Sequence, residues 1–371
     1  MKPLPGLSRV QFRSLCIVVL CVLTLALLLS AASAQGPGAG EPHIRPARPP
    51  GRVRRPVVNP YADVNWDTAH QVHSLSHIHT GWGDAPPIYR RVRALYDRGI
   101  RHFAFSNYYP SAPYYPLDQY LPDLPDDVIA SPNAEHHTMT NTPLHFNSLG
   151  SFFRSGSPQG QQPKGVRRTW QHAFRATLDN LQFDDGGGVT INHPVWSKLT
   201  IAQVIEMFDY DPRVLGIEVY NDTCEKRTDT PQLGWSDEYW QIMLGTGRFV
   251  IGFFVIDHSD DDPLGRNVLL VPEVTEHEAL RAYRRGAFYG ALRGTARINR
   301  IAVDMPFISI ETDKGEKVRF ITQKGVVQET EGNQAKYRLT GQEVFVRIEV
   351  DCPDGERLFS QPIMFVASPV K

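Results

Sequence analysis

The sequence predicts an α/β chain: a TIM-like barrel of parallel strands and helical crossovers over residues 61–295, followed by a small antiparallel β-sandwich over residues 296–371. Two observations carry this. Strand-like and helix-like patterns alternate along the first segment, whose span of about 240 residues suits a closed barrel. Past Ala296 the pattern changes to short alternating runs parted by turn signals, with no helical periodicity between them. A doubly wound open sheet is the alternative for the first segment, but no Gly-x-Gly-x-x-Gly follows any of its strands, so a dinucleotide site has no support.

The elements follow in order. Leu75-Ser76-His77-Ile78-His79-Thr80 ends the first strand, and Pro86-Pro87 then opens a helix with Ile88, Val92 and Leu95 on one face, stopped by Gly99. His102-Phe103-Ala104-Phe105 reads as the next strand. A helix from Trp170 to Leu181 precedes the turn Gly186-Gly187-Gly188 and the strand Val189-Thr190-Ile191. Thr200 and Gln203 form a capping-box pattern for a helix that Asp209-Tyr210-Asp211-Pro212 ends. Gly216 to Tyr220 is a strand, Asp237 to Leu244 a helix and Phe249 to Ile256 a long apolar strand. Thr275 and Glu278 cap a last helix, which runs to Gly286 before Phe288-Tyr289. The sandwich strands are Ile298–Val303, Phe307–Glu311, Val318–Ile321, Lys336–Leu339, Val344–Val350 and Ile363–Val366, with turns at Asp313-Lys314-Gly315, Glu331-Gly332-Asn333 and Pro353-Asp354-Gly355. Nothing in that segment reads as catalytic.

The N-terminal 34 residues carry a different signal. Lys2, Arg9 and Arg13 precede an apolar run from Leu15 to Leu29, and the small residues Ser30 to Ala34 lead to Gln35. This is the pattern of a cleaved signal peptide, with an uncleaved membrane anchor as the alternative, and either places the rest of the chain outside the cytoplasm, secreted or periplasmic. Residues 35–60 are rich in Pro, Gly and Arg and read as a flexible linker. Of the four cysteines, Cys16 and Cys21 fall in the signal; Cys224 and Cys352 remain and make no disulfide framework.

Composition narrows the class of partner. The 371 residues are 41% hydrophobic and 21% charged, enough to bury one large core or a large and a small one. A formal net charge of -1 gives no global field for nucleic acid, so the partner expected is a small molecule held at a local site, with membrane contact only through the signal or anchor segment.

The residues that point to chemistry are His77 and His79. On a strand, residues two apart share a face at about 7 Å, so both imidazoles can reach one metal ion. Further metal-type residues recur where barrel chemistry falls, at strand ends and in the loops after them: Asp84, Glu135, His145, His193, Asp257 and His258. Each alone reads as structural, Asp84 as a helix cap for instance, but their joint recurrence argues for one site.

These landmarks give the chain a resemblance. His77-Ile78-His79-Thr80 with Asp84, Glu135, Leu144-His145-Phe146-Asn147, Asn192-His193-Pro194, Glu218-Val219-Tyr220-Asn221 and Asp257-His258 occur in the order of the PHP family, the polymerase-and-histidinol-phosphatase metal hydrolases, across residues 66 to 292. Gly265 to Val366 resembles the C-terminal part of secreted or periplasmic PHP-like proteins that append a small β-sandwich. The resemblance implies a distorted (β/α)7 TIM-like barrel holding two or three divalent metals, zinc, manganese or iron, and hydrolysing phosphate esters. It implies that His77, His79, Glu135 and an aspartate hold the first metal, and that Glu135 bridges to a second completed by His145 and His193. Two such cations about 3.5 to 4 Å apart activate water and neutralise phosphoryl charge.

Two departures mark the far side of the site. Where the family reads Thr-Asp-His, this chain has Ser106-Asn107-Tyr108, and where it reads Asp-x-His, the acid and imidazole are adjacent at Asp257-His258. Neighbours on a regular strand point to opposite faces, so both reach the site only through a bulge or loop start. A third metal would need Asp84, position 108 and the final histidine; the expectation is therefore a two-metal site, with Asp84 and Tyr108 as the catalytic candidates and Tyr108 donating to the substrate phosphate. Tyr108-Tyr109-Pro110, Tyr114-Tyr115 and Trp82 form an aromatic rim, and Arg154, Arg167 and Arg168 are cations within reach of a phosphate. His70, His73, His136 and His137 match no landmark, and Glu218 reads as supporting rather than ligating. Three functions follow: a phosphoesterase, a degenerate PHP-like module that binds metal or ligand without turnover, and a metal hydrolase of carbon-nitrogen bonds.

Overall fold

The computed structural model describes residues 55–80, 88–107, 114–121, 123–138, 142–153, 169–226, 233–259 and 265–366. Residues 1–34, which carry the signal pattern, and residues 35–54 of the predicted linker lie outside these. Among the described residues no helix is long and apolar enough to cross a membrane.

The first half of the chain alternates much as its patterns predict. β1 (His70–Ile78) leads to α1 (Ile88–Tyr96), whose Val92 and Leu95 turn inward, and Gly99 at φ +91° ends that connection before β2 (Ile100–Phe105). The short β3 (Ile129–Ala130) is followed by two strands with no counterpart in the sequence reading, β4 (Glu135–Thr138) and β5 (Leu144–Leu149), paired as an antiparallel hairpin. α2 (Trp170–Leu178) ends three residues earlier than predicted, and β6 (Gly188–Ile191) follows the glycine turn. α3 (Ile201–Phe208) carries the full capping box: Thr200 Oγ1 accepts from Gln203 N, and the Gln203 side chain accepts from Thr200 N. β7 (Val214–Asn221), α4 (Asp222–Lys226), α5 (Asp237–Gly245) and β8 (Ile251–Val255) come next. Trp240 of α5 is wholly buried and donates to Val250 O at 2.8 Å; its ring lies so close to Gly252 that a Cβ there would stand 2.8 Å from Trp240 Cζ2, so only glycine fits beneath it.

β9 (Gly265–Val271), α6 (Glu276–Arg285) and β10 (Phe288–Leu292) complete this half. Thr275 caps α6 through Glu278 N, and Gly286 closes it in the left-handed region. The remaining strands are β11 (Ile298–Asp304), β12 (Phe307–Thr312), β13 (Lys317–Thr322), β14 (Gly325–Glu331), β15 (Gln334–Arg338), β16 (Phe345–Asp351), β17 (Arg357–Ser360) and β18 (Ile363–Met364).

The sheets depart from a closed (β/α)7 ring. Parallel pairs exist as β1–β2–β3 and as β6–β7–β8, but the first set belongs to a ten-stranded sheet, the second to a five-stranded sheet in the order β4-β5-β6-β7-β8. The reason is that antiparallel β9 occupies the free edge of β1 from His70 to Ser74. β8 therefore meets β1 only past that point, through an isolated bridge between Ile78 and Asp257. His79 N donates to Asp257 O at 3.1 Å and Asp257 N to His77 O at 3.0 Å; on the other side Glu135 N donates to Ser106 O at 2.7 Å. The architecture is mixed α/β, with the two sheets touching at the carboxyl ends of their parallel strands, where His77, His79, His193 and Asp257 lie, whereas Glu135 and His145 come from the antiparallel hairpin β4–β5 rather than from strand ends as the sequence reading expects.

In the C-terminal half, β11, β12 and β15 make a three-stranded antiparallel sheet. It packs on strands β13, β16 and β17 through Ile301, Ile308, Ile310, Phe320 and Ile348, and the same core takes Val268 of β9 and Tyr289 of β10. β10 pairs with β17, so the large sheet runs without a break across residue 295. Glu331-Gly332-Asn333 turns the chain from one sheet to the other, β14 pairing with β13 and β15 with β12. Burial of each such Ile or Phe is worth about 1.5–3 kcal/mol. Cys224 and Cys352 are both buried and unbridged.

Candidate metal centre

The parity of β1 points His77 inward, and His79 follows just past the strand end, so that their Nε2 atoms stand 3.0 Å apart. Glu135 opens β4, His145 lies on β5, His193 two residues past β6 and Asp257 two residues past β8. Asp257 has φ +57° and His193 φ +26°, so each strand breaks where its side chain must turn toward the others. For Asp257 this is the irregularity that the adjacent acid and imidazole require.

The convergence is tight. Glu135 Oε2 lies 3.2 Å from His79 Nε2 and 3.5 Å from His77 Nε2, and Asp257 Oδ1 lies 3.4 and 3.3 Å from the same two atoms. The other oxygen, Glu135 Oε1, is 3.1 Å from His145 Nδ1 and 3.3 Å from His193 Nε2. His77, His79, Glu135 and Asp257 thus form one group, and Glu135, His145 and His193 a second, all ligand atoms of each within 4.8 Å of one another. Ligands bound tetrahedrally at about 2.0–2.1 Å stand about 3.4 Å apart, which these spacings match. Glu135 Oε2 and Asp257 Oδ1 are buried yet make no hydrogen bond, the condition of atoms whose partner is a cation. Imidazole with carboxylate suits zinc, manganese or iron better than calcium, so the residues fit a divalent transition metal.

A shell of polar side chains holds the ligands. His77 Nδ1 donates to Glu218 Oε1 at 2.5 Å, while Glu218 Oε2 accepts from His193 N and Asn221 Nδ2, both at 2.9 Å. Asn221 also donates to Asp257 Oδ2 at 3.1 Å, and Asn192 donates to Glu135 Oε1 at 3.2 Å and to Asn147 Oδ1 at 3.1 Å. Glu218 is the supporting residue the sequence suggested. Asn147 and Asn221 stand inside landmark segments, but nothing in the sequence points to the contacts they make.

The charges are interdependent. Burial alone lowers the His77 pKa, but Asp257, Glu218 and Glu135 together lift it well above the usual imidazole value. Burial raises Glu135, yet His77 and the hydrogen bonds from neighbouring histidines hold it well below the carboxylate range. Asp257 is likewise lowered against its burial by His77. Burial lowers His145, and it lowers His258 to about 4 with help from His79.

Other sequence candidates fall elsewhere. His258 belongs to neither ligand group; its ring stacks on His79 at 3.9 Å, with Nε2 3.6 Å from Asp257 Oδ1. Asp84 and Tyr108 lie outside the described residues, as do Trp82, Tyr109, Pro110, Arg154, Arg167 and Arg168. Tyr114 packs edge-on against Phe105 and Tyr120, and Tyr115 Oη donates to Glu276 Oε2 at 2.9 Å, so both serve the fold here. His136 stacks on Phe146 and bonds Ser148 Oγ. His102, read only as part of a strand, is buried between Ser74 Oγ at 2.5 Å and Ser131 Oγ at 2.9 Å.

No protein-family model matches the chain, and no curated protein matches it. Among solved structures it is similar to a two-domain protein containing a predicted PHP-like metal-dependent phosphoesterase from Bacteroides vulgatus ATCC 8482, with 13% identity, 85% of this chain and 99% of that chain covered, and a TM-score of 0.43. It is also similar to PsfC from Pseudomonas syringae PB-5123, with 13% identity, 56% of this chain and 85% of that chain covered, and a TM-score of 0.36.

Proposed function

We propose that the chain is a metal-dependent hydrolase of small phosphate esters, working outside the cytoplasm with two divalent cations, zinc, manganese or iron. The observation that carries this reading is the shared carboxylate: Glu135 offers Oε2 to the His77, His79 and Asp257 group and Oε1 to the His145 and His193 group. Asp84 and Tyr108 remain the candidates for contact with the substrate.

Cations held by His77, His79, Glu135 and Asp257 and by Glu135, His145 and His193 would supply Lewis acidity toward a phosphoryl oxygen and would acidify water. The chain's own residues do the positioning. Glu218 fixes the His77 ring so that Nε2 faces the centre, and through His193 N it holds the backbone of the second group as well. Asn192 and Asn221 each reach a carboxylate of the centre, keeping Glu135 and Asp257 aimed inward. Burial of all these groups keeps bulk water from competing for the ligand atoms. The formal net charge of -1 favours a small substrate over nucleic acid, and the N-terminal signal pattern supports export.

The test is hydrolysis of generic phosphomonoesters and phosphodiesters by the purified chain with manganese or zinc. Turnover that a chelator abolishes and metal restores is expected. Bound metal without turnover on either ester class would replace this reading with that of a binding module.

A further inference from the structure

Resting on the phosphoesterase reading, we propose that Trp196 is the platform against which the leaving group of the substrate lies, and that the centre prefers aryl phosphates, whose flat ring joins phosphorus through the ester oxygen. Exposure supplies the first argument. Of the six side chains in the two ligand groups, His145 is the most exposed, at 20% against 6% or less for the others, so the centre opens to solvent at the second group. Trp196 stands at that opening. Its half-buried indole lies 5.6 Å from the His145 ring at 65° and 4.9 Å from the His193 ring at 82°, edge to face with both.

Packing supplies the second argument. Trp170 and Trp240 belong to the hydrophobic core, and Trp66 and Trp235 pack against core clusters, whereas Trp196 sets its ring against the two imidazoles of the second group. Rigidity supplies the third. Ser197 N donates to His193 O, Lys198 N to Val195 O and Leu199 N to Pro194 O, each at 3.0 Å, and Ser197 Oγ stands 3.1 Å from His193 Nδ1. Trp196 is thereby fixed on a tight turn that begins at a ligand, so the indole is in place before a substrate arrives. A ring attached directly to the ester oxygen can reach an indole this close to the ligand rings, and aromatic pairs contribute beyond the area they bury. A saturated ring of the same size buries similar area without that term, and a methyl ester has no ring to place there.

The experiment measures by calorimetry how tightly the zinc-loaded chain binds phenylphosphonate, cyclohexylphosphonate and methylphosphonate, which carry the phosphoryl charge but have no ester bond to hydrolyse. Wild type, Trp196→Leu and Trp196→Phe are compared, with zinc content read on each. Leucine keeps an apolar side chain against the imidazoles and removes the ring; phenylalanine keeps a ring. The wild type is expected to bind phenylphosphonate about fivefold or more tightly than the other two. Trp196→Leu should lose that preference with zinc retained, and Trp196→Phe should keep most of it. A phenyl preference that survives in Trp196→Leu, or that is missing in the wild type, overturns the platform while leaving the phosphoesterase reading intact. Loss of zinc from Trp196→Leu does the same, because it assigns the indole to packing the ligands. A zinc-loaded wild type that binds none of the three phosphonates overturns both.

Discussion

The Nδ1 atom of His77 and the Oε1 atom of Glu218 lie 2.5 Å apart, joining the two sheets beside the candidate metal centre. A carboxylate in this position fixes the imidazole tautomer and raises its basicity toward a cation. Glu218→Gln keeps the shape and removes the charge. The expected result is a fall of about 10–100-fold in affinity for the first cation, read by chelator competition. Unchanged affinity would show that the bond only packs the core.

Asp257 belongs to the first group alone. Asp257→Asn should therefore lower the bound metal by one ion per chain and leave the second in place, as measured by elemental analysis after dialysis. Loss of both ions, or of neither, would contradict the division into two groups.

His102 makes acid stability testable away from the centre. Burial pushes its pKa down to about 3, so the native state stays unprotonated there while the unfolded chain takes up a proton below about 6.5. Nothing is lost above that unfolded value; below it, stability falls by about 1.4 kcal/mol per pH unit until about 3. His102→Gln should show a shallower loss between pH 6 and pH 4 in denaturant titrations. A slope equal to the wild type would mean that His102 is protonated in the fold.

Thr200 is a local test of the fold. Its side chain accepts from Gln203 N, so Thr200→Ala should cost about 1 kcal/mol at the start of α3. The measurement is denaturant unfolding of the metal-free chain, and no change would mean that helix packing rather than the cap sets this end.

Much of the fold was legible because its periodicities are local. The capping boxes and glycine stops placed α3 and α6 within a residue or two, since those signals act on the backbone beside them. What was not legible is pairing. β9 ends in the apolar run Val268-Leu269-Leu270-Val271, but its antiparallel partner, β1, lies nearly two hundred residues away, and that pairing takes the edge a closed ring would need. β4 and β5 escape the sequence reading because Glu135-His136-His137-Thr138 and Leu144-His145-Phe146-Asn147-Ser148-Leu149 are mostly polar and hold a single β-branched residue between them, Thr138. The site was more legible than the sheet around it. His77, His79, Glu135, His145, His193 and Asp257 do converge, because ligand spacing is written in short motifs, while the amides of Asn147 and Asn221 act through contacts that only the folded chain creates.

A Glu135 shared between two cations requires one ion against each of its carboxylate oxygens. Anomalous diffraction from crystals grown with zinc or manganese tests it most directly. Two peaks are expected, one among His77, His79, Asp257 and Glu135 Oε2 and one beside His145, His193 and Glu135 Oε1. No peak at Glu135, or a single peak touching only one of its oxygens, would contradict it.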